Sequence, residues 1–420
     1  MIRTAKFFIF SFLLLTTNSI SQVWIDKHYP GEINFFDMVF TDSLNGWITG
    51  DSGTVLRSSD GGESWDKINI GASEEEALYN LQILNDSIFI IGSVSSSLGS
   101  KFYMSSDFGV SWEEADFPYE GVYLTDFSFV NPDTGFVCGL SGKFFRTYDR
   151  MRNWEEIVDT NNFFAYRKIL FRDALHGWIL GGRIDLIGFV KRTTDGGDSW
   201  EHCIVTIEPL LDIFFVNDDT AYVAGGDPEY GGWVYFSSDG GINWEMQTVP
   251  PNVISFGNIN FENPSLGWVS GAGSILSTTD RGVTWKIARL TNDFIYKTAM
   301  INEKVFWFAG SNGFLSLFID TSSVTRILEE EEISVEPIFT VYPNPFNSLT
   351  KIKLNIEKNC FVKMELYNIL GERIQIIIED HFSRGTYLIP LDLNHYSSGI
   401  YLILLNSENS KQIQKIVLTK

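Results

Sequence analysis

The sequence predicts an all-β chain, most of it one small sheet repeated in a ring. Two observations carry this reading. An eight-residue phrase with Ser or Thr first, Asp third and Trp last occurs six times, at 58–65, 105–112, 147–154, 193–200, 237–244 and 278–285. A second phrase precedes each copy and occurs once more: an apolar residue, a short polar turn, an aromatic or apolar pair, then a glycine. Its seven copies end at Gly50, Gly92, Gly139, Gly181, Gly225, Gly271 and Gly310, spaced 42, 47, 42, 44, 46 and 39 residues apart. A repeat of about forty residues with short strands is the signature of propeller blades. The expected fold is a seven-bladed β-propeller followed by a small C-terminal β-sandwich.

The first phrase has a physical logic. Its aspartates, Asp60, Asp107, Asp149, Asp195, Asp239 and Asp280, can accept hydrogen bonds from N–H groups further round a turn. Glycine at the fifth position permits positive φ without a Cβ clash. The tryptophan opens a strand and folds its ring over the turn, sealing a hairpin corner. The third copy has Met151 in place of that glycine, so its corner is expected to be distorted. Six like sites round a ring suit a repeated staple, and no catalytic residue is assigned among them.

Taken in order, residues 1–21 read as a signal peptide. Arg3 and Lys6 precede an apolar run at 7–15, and Ser19-Ile20-Ser21 offers a small-residue cleavage site. The run is too short to cross a bilayer, and no transmembrane segment is expected elsewhere. Residues 22–318 are the propeller. Its last repeat has Phe314-Leu315-Ser316-Leu317-Phe318 but no corner phrase after it. The segment Gln22-Val23-Trp24-Ile25-Asp26 is expected to supply the missing outer strand, closing the ring without a covalent link and covering an edge. An acidic linker, 319–338, contains Glu329-Glu330-Glu331-Glu332. Strand-like runs then fill 339–420.

Three residues before the apolar anchor of each second phrase stand Asp37, Asn80, Asp126, Lys168, Asp212, Asn258 and Lys297. All are polar and are expected at the mouth of a central channel. Two readings stay open: a ring of blade-to-blade hydrogen bonds that satisfies strand ends, and a site for a polar ligand. Phe163, Phe164, Tyr166, Tyr230 and Trp233, in neighbouring loops, suit either a platform for a sugar or peptide or packing between blades.

Residues 22–338 carry 20 Lys/Arg against 46 Asp/Glu. Such a surface repels nucleic acid and anionic lipid, so neither is an expected partner. No loop has a calcium-binding spacing. His28, His176 and His202 fall in no nucleophile or metal motif. No metal and no other cofactor are expected. Cys138, Cys203 and Cys360 give no disulfide framework. A monomer is expected.

The corner phrase resembles the Asp-box of sialidases and other β-propellers, where its role is structural. The Arg-Ile-Pro signature of a sialidase is missing. The paired phrases, as in Gly46-Trp47-Ile48-Thr49-Gly50 followed by Ser58-Ser59-Asp60-Gly61-Gly62-Glu63-Ser64-Trp65, resemble the BNR-type propellers related to photosystem II assembly and stability factors. That resemblance covers nearly all of 22–318 and implies a fold more than a task. The basic surface patch expected of the photosynthetic members is not evident in so acidic a chain.

The tail carries Tyr342-Pro343-Asn344-Pro345-Phe346, then Leu366-Tyr367-Asn368-Ile369-Leu370-Gly371-Glu372, Gly385-Thr386-Tyr387 and Ser398-Gly399-Ile400-Tyr401. These motifs resemble the type A C-terminal sorting domain of the type IX (Por) secretion system of Bacteroidetes. Gly371, Gly385 and Gly399 suit tight turns. The resemblance implies handling by the type IX machinery and delivery through the periplasm, either into the medium or onto the cell surface. The expected function is an exported binding module for a carbohydrate or protein. The alternative is a secreted glycan-active hydrolase using two facing carboxylates.

Overall fold

The computed structural model describes residues 22–84, 87–95, 99–119, 121–159, 164–302, 304–320, 339–356, 359–368, 373–407 and 410–419. The expected signal peptide, the expected linker beyond Asp320, Phe163 and Gly371 lie outside them. The chain divides into two compact units, Trp24–Phe318 and a C-terminal unit beginning at Ile319. Helix is confined to two short 3-10 turns among the described residues.

The first unit is a series of antiparallel sheets, each laid down in chain order. Phe35–Phe40, Gly46–Gly50, Thr54–Ser58 and Asp66–Ile68 make one, and four more four-stranded sheets open at Ala77, Leu124, Tyr166 and Leu210. A six-stranded sheet opens at Phe256. It contains the long strands Gly267–Thr278 and Lys286–Asn302, then Val305–Gly310 and Phe314–Asp320, and ends with Gln22–His28. The N-terminal strand thus lies beside Phe314–Asp320, where counting the two phrases put it.

Strands such as Gly46–Gly50 and Val305–Gly310 are buried along their whole length, so both faces of a sheet are covered. The hydrophobic clusters lie between successive sheets. Trp47 and Val55 pack with Leu78, Phe89 and Tyr103, and Phe136 and Phe144 with Tyr166 and Phe189. There is no single central core; each sheet is stabilised by its two neighbours.

The corner phrase shows why its residues recur. In every copy the aspartate Oδ1 accepts the backbone N–H four residues on, as Asp239 does from Asn243 at 2.9 Å and Asp60 from Ser64 at 2.9 Å. The side chain of that residue donates to Oδ2. These bonds hold Asp107, Asp195 and Asp239 down to about 2, hydrogen bonding to Ser111, Ser199 and Asn243 being the largest cause in each. The third corner is altered in part, as expected: the bond from the fifth residue's N–H to the first hydroxyl, made in the other five copies, is absent at Met151 among the described residues. Asp149 keeps its bonds to Asn153, while Arg150 and Met151 adopt φ of 62° and 64°, a strained region for non-glycine residues.

The fifth-position glycine also answers to its neighbour. A Cβ on Gly109 would stand 2.3 Å from Trp47 of the preceding sheet, and one on Gly62 2.5 Å from Trp307. Trp307 Nε1 donates to Gly61 O at 3.1 Å, Trp178 Nε1 to Gly240 O at 3.1 Å, and the Tyr222 hydroxyl to Arg281 O at 2.8 Å. Three of the second phrases thereby staple their sheets to a neighbouring corner by a hydrogen bond. Trp268 has no corner ahead of it, and its buried Nε1 finds no partner among the described residues. Trp24 fills the gap. Its ring meets Trp268 at 6.3 Å and 87°, matching the 6.3 Å and 89° of Trp65 on Trp307. Asp26 then takes a two-pronged bond from Arg289 at 2.7 and 2.8 Å, and one from Ser316 at 2.9 Å.

In the C-terminal unit, Phe339–Tyr342, Leu349–Ile356 and Gly385–Asp392 form a three-stranded sheet. Arg373–Phe382, Cys360–Asn368, Gly399–Ser407 and Ser410–Leu418 form a four-stranded one. Leu349–Ile356 alternates strictly between exposed and buried, and its inward residues Ile352 and Leu354 share one core with Val362, Met364, Ile403 and Ile416 of the other sheet. Gly385 and Gly399 each open a strand. None of the three cysteines is in a disulfide.

Two outcomes are expected. Trp24→Ala lowers the unfolding free energy of the full chain by about 3 kcal/mol in urea titration; a loss below about 0.5 kcal/mol refutes its sealing role. The corner aspartates have folded-state values below the ordinary 3.8. Their contribution is therefore complete above about pH 4 and lost as pH falls toward about 2. Thermal unfolding from pH 5 to 2 tests this, and a D107N/D195N/D239N variant should show a flatter acid limb.

Candidate functional site

The site begins with one irregularity repeated in seven strands. In each, the register shifts just before the polar residue that the sequence singled out: between Phe35 and Asp37, Leu78 and Asn80, Leu124 and Asp126, Tyr166 and Lys168, Leu210 and Asp212, Phe256 and Asn258, Ile295 and Lys297. A β-bulge leaves one residue unpaired and re-aims its neighbours. Two consecutive residues per strand then face the same space, which a regular strand forbids. All fourteen line one cavity of about 190 Å³.

The seven predicted residues come together there and bond in an unbroken circuit. Asp37 Oδ2 accepts Leu81 N at 2.9 Å. Asn80 donates to Asp126, and Asp126 Oδ2 accepts Ile169 N at 2.9 Å. Lys168 lies 3.3 Å from Asp126 and 3.9 Å from Asp212. Asp212 Oδ2 accepts Asn258 Nδ2 at 2.8 Å and Ile259 N at 2.9 Å, and Asn258 Oδ1 accepts Thr298 N at 2.9 Å. Lys297 returns the circuit to Asp37 at 3.0 Å. Each step joins one inner strand to the next, within the six-stranded sheet for Asn258 and Thr298 and between sheets for the others.

The electrostatics follow from burial. Asp126 is 2% exposed. Desolvation raises its carboxyl above the ordinary value against the opposing pull of Lys168 and Ile169 N–H. Desolvation works against the Lys168 ammonium, but Asp126, Asp212 and Asp37 outweigh it and hold the lysine well above its ordinary value. Asp37 and Asp126 each have both oxygens engaged, and Asp212 lies between Asn258, Ile259 and Lys168. Carboxylates so occupied are poorly placed to trade protons with a substrate. The cations are more open: Lys168 and Lys297 keep about a quarter of their side-chain surface, and Arg167 lines the same cavity.

The predicted aromatic residues do not gather there. Tyr166 is buried in the core between two sheets. Phe164 lines a separate cavity of about 470 Å³ with Lys191, Trp200 and His202. Tyr230 is exposed on a turn, and Trp233, expected in a loop, is instead a half-buried residue of the strand Gly231–Ser237, paired with Gly225. Sequence reasoning missed Phe36, Tyr79, Arg167 and Tyr296, which line the channel. Their signal was adjacency, each standing one residue before a ring position.

In the tail, Asn344 explains part of the sorting motif. Its side chain donates to Lys415 O at 2.8 Å and accepts Val417 N at 2.8 Å, imitating a strand partner for the last strand. Phe346 N and Thr419 N complete the clasp. The Tyr342–Pro343 and Asn344–Pro345 peptides are cis.

Stacked four-stranded sheets joined by a circuit of inner side chains define a β-propeller, here carrying a separate all-β tail. Known proteins place it further. Residues 340–419 match the family described as secretion system C-terminal sorting domain. Residues 16–101 and 104–208 match that described as photosynthesis system II assembly factor YCF48. The photosystem II assembly lipoprotein Ycf48 of Prochlorococcus marinus (strain MIT 9312) is 34% identical over 58 residues, 14% of this chain and 17% of that protein. The chloroplastic photosystem II stability/assembly factor HCF136 of Arabidopsis thaliana is 22% identical over 51% of this chain and 68% of its own length. The chain thus spans about a sixth of the first relative and two thirds of the second. A solved structure of YCF48 bound to D1 peptide superposes with a TM-score of 0.57 at 19% identity, covering 70% of this chain and 94% of that one. The chain joins a Ycf48-like propeller to a sorting domain that directs it to secretion or cell-surface attachment through type IX handling. Among the described residues no helix is long and apolar enough to cross a membrane.

Lys168→Met removes the cation between Asp126 and Asp212. The expected cost is about 2 kcal/mol in urea titration, below the value for a fully buried pair because the lysine side chain keeps about a quarter of its surface exposed. Asp126→Asn in the same chain should recover part of it, and additive losses would mean the two residues do not couple.

Proposed function

We propose that the protein is an exported, seven-bladed propeller that binds a carbohydrate or protein ligand outside the cell, protein being the better fit. On this reading residues 1–21 are a signal peptide, 22–318 the propeller, 319–338 a linker and 339–420 a β-sandwich sorting domain. Counting the long strands Gly267–Thr278 and Lys286–Asn302 as two segments each gives seven blades of four strands. The corner phrases act as structural Asp-boxes.

The observation that carries the binding reading is the state of the channel carboxylates. Asp37, Asp126 and Asp212 are committed to backbone N–H groups, amides and lysines, which favours a binding scaffold over a hydrolase needing one free acid and one free base. Phe36, Tyr79 and Tyr296 on the cavity wall suit a sugar or a peptide. A peptide is also what the YCF48 structure holds.

Full-length protein, screened on a glycan array, against envelope proteins and for glycan hydrolysis, tests this. Saturable binding without turnover is expected. Hydrolysis abolished by one carboxylate substitution would overturn the reading. Deleting 339–420 should strand the protein in the periplasm, and Asn344→Ala should reduce export by loosening the last strand. Unchanged arrival outside the cell after the deletion removes the sorting role.

A further inference from the structure

Six copies of one corner let the repeat show what the fold asks of each position. Two residues before the opening Ser or Thr the chain has Leu56, Tyr103, Phe145, Tyr235 and Leu276, but Lys191 in the fourth copy. Five residues after the corner Trp it has Ile70, Phe117, Val205, Val249 and Leu290, but Asp159 after the third. These two positions meet across successive sheets. Ile70 and Tyr103 share one apolar cluster, Val205 and Tyr235 another, and Val249 and Leu276 a third, while the Phe117 and Phe145 rings lie 5.0 Å apart. Where the sheet opening at Leu124 meets the one opening at Tyr166, an ion pair of Lys191 with Asp159 stands in place of that contact.

Stability does not explain the exchange, because swapping a buried ion pair for apolar residues is often neutral or stabilising. The Lys191 side chain is 6% exposed and that of Asp159 19%. Both nonetheless line the cavity of about 470 Å³ noted above, whose walls run out to the exposed His202 and to Val158, exposed at 68%. Solvent therefore reaches the pair. An ammonium has three N–H groups. Among the described residues Lys191 has one acceptor, Asp159, and otherwise meets the ring faces of Tyr166 and Phe189 at 5.6 and 6.0 Å. Burial and the neighbouring Lys191 hold the His202 imidazole below its ordinary value, so at pH 7 the ring is neutral, with one donor and one acceptor. Asp198, also on the wall, is paired with Arg146 at 2.8 Å. Phe164 and Ile157 add apolar surface, and so does Trp200, whose Nε1 is spent on Gly197 O at 3.1 Å.

We infer that this cavity is a second ligand site, separate from the channel, that takes an uncharged sugar residue of a glycan. Lys191 donates to one hydroxyl, His202 bonds another, and the apolar walls cover the ring, the mixture of many apolar and few placed polar groups that small-ligand pockets share. Asp159 holds the ammonium in position. The charges on the wall are balanced, so an ion gains little there. An acidic side chain or uronate would also face a domain with 46 Asp/Glu against 20 Lys/Arg, and a basic one would face Lys191. Hydroxyls, which both donate and accept, match what is left. The inference goes beyond the channel reading and stands whether or not the channel binds anything.

The test puts the full chain on a glycan array and repeats the best hit as its methyl glycoside by isothermal titration. Neutral glycans should bind, with little loss as salt rises. Asp159→Val combined with Lys191→Tyr installs the pair that Val205 and Tyr235 make at the next junction. It should weaken the glycoside about tenfold or more while keeping or raising the melting temperature. His202→Ala, at the surface, should weaken binding with the melting temperature unchanged, and serves if the double variant folds poorly. Met246→Ala, at the matching position of the next sheet, should leave binding as it is. Hits confined to sulfated or uronic glycans, or wild-type binding by both the double variant and His202→Ala, overturn the inference; in the second case the glycan sits elsewhere and the channel reading gains. A peptide bound by the wild type and lost in both variants, without a glycan hit, replaces the sugar. An array with no hits also overturns the inference, and envelope proteins then test the channel reading by itself.

Discussion

One hydrogen bond, repeated between sheets, underlies the rest of the first unit. A side chain set just after a β-bulge on one innermost strand accepts the backbone N–H of the next, as Asp37 does from Leu81 and Asn258 from Thr298. Without the bulge the alternation of the strand would turn one of each residue pair into the hydrophobic layer. With it, both face the channel, and the polar one is free to reach across. The sheets share no common core, so these bonds and the aromatic staples must fix the spacing of the stack. They act at its two ends: the carboxylates at the inner strands, Trp178 and Trp307 at the corners.

Much of this was legible in the sequence, for reasons that differ by residue. The corner aspartates were legible because the chemistry is local: a carboxylate and an N–H four residues on need only a turn to meet. Trp24 was legible by counting, since seven first phrases and six second ones leave one strand short. The convergence of the seven ring positions was legible because a repeat puts like residues in like places. The bulge was not, because it depends on pairing between strands and leaves no mark in composition. That is why Phe36, Tyr79, Arg167 and Tyr296 went unnoticed beside their marked neighbours. Tyr166 was misjudged as a loop residue because the strand Tyr166–Phe171 begins with it, turning its ring into the layer shared with Phe189. Met151 was expected to distort its corner; it forfeits the N–H bond to the first hydroxyl that the other five copies make, while Asp149 and Asn153 keep theirs. A set of short hydrogen bonds evidently outweighs a strain of about 1–3 kcal/mol.

The two units solve the problem of a sheet edge in opposite ways. In the first, the final strand Phe314–Asp320 is covered by the N-terminal strand, and Arg289 bonds Asp26 while lying 5.2 Å over the Trp24 ring. In the tail, Ser410–Leu418 is an outer strand, and a single side chain, Asn344, satisfies part of its edge from the motif seventy-odd residues earlier. The sorting motif is therefore also a folding device. The sequence that marks the domain and the contact that holds its last strand cannot be varied separately.

Glu208 shows why a buried and poorly satisfied carboxylate hides in sequence. A lone glutamate in a chain with 53 acidic residues carries no signal, and most of its neighbours in that count are solvated and need no explanation. What sets it apart is burial without a partner, a property of three loops together. Asp126 provides the internal control. It too is hidden from solvent, but a lysine, an amide and a backbone N–H surround it. Glu208 meets one distant N–H and three like charges. The same fold that answers each channel carboxylate from a neighbouring inner strand leaves this one with a single long bond.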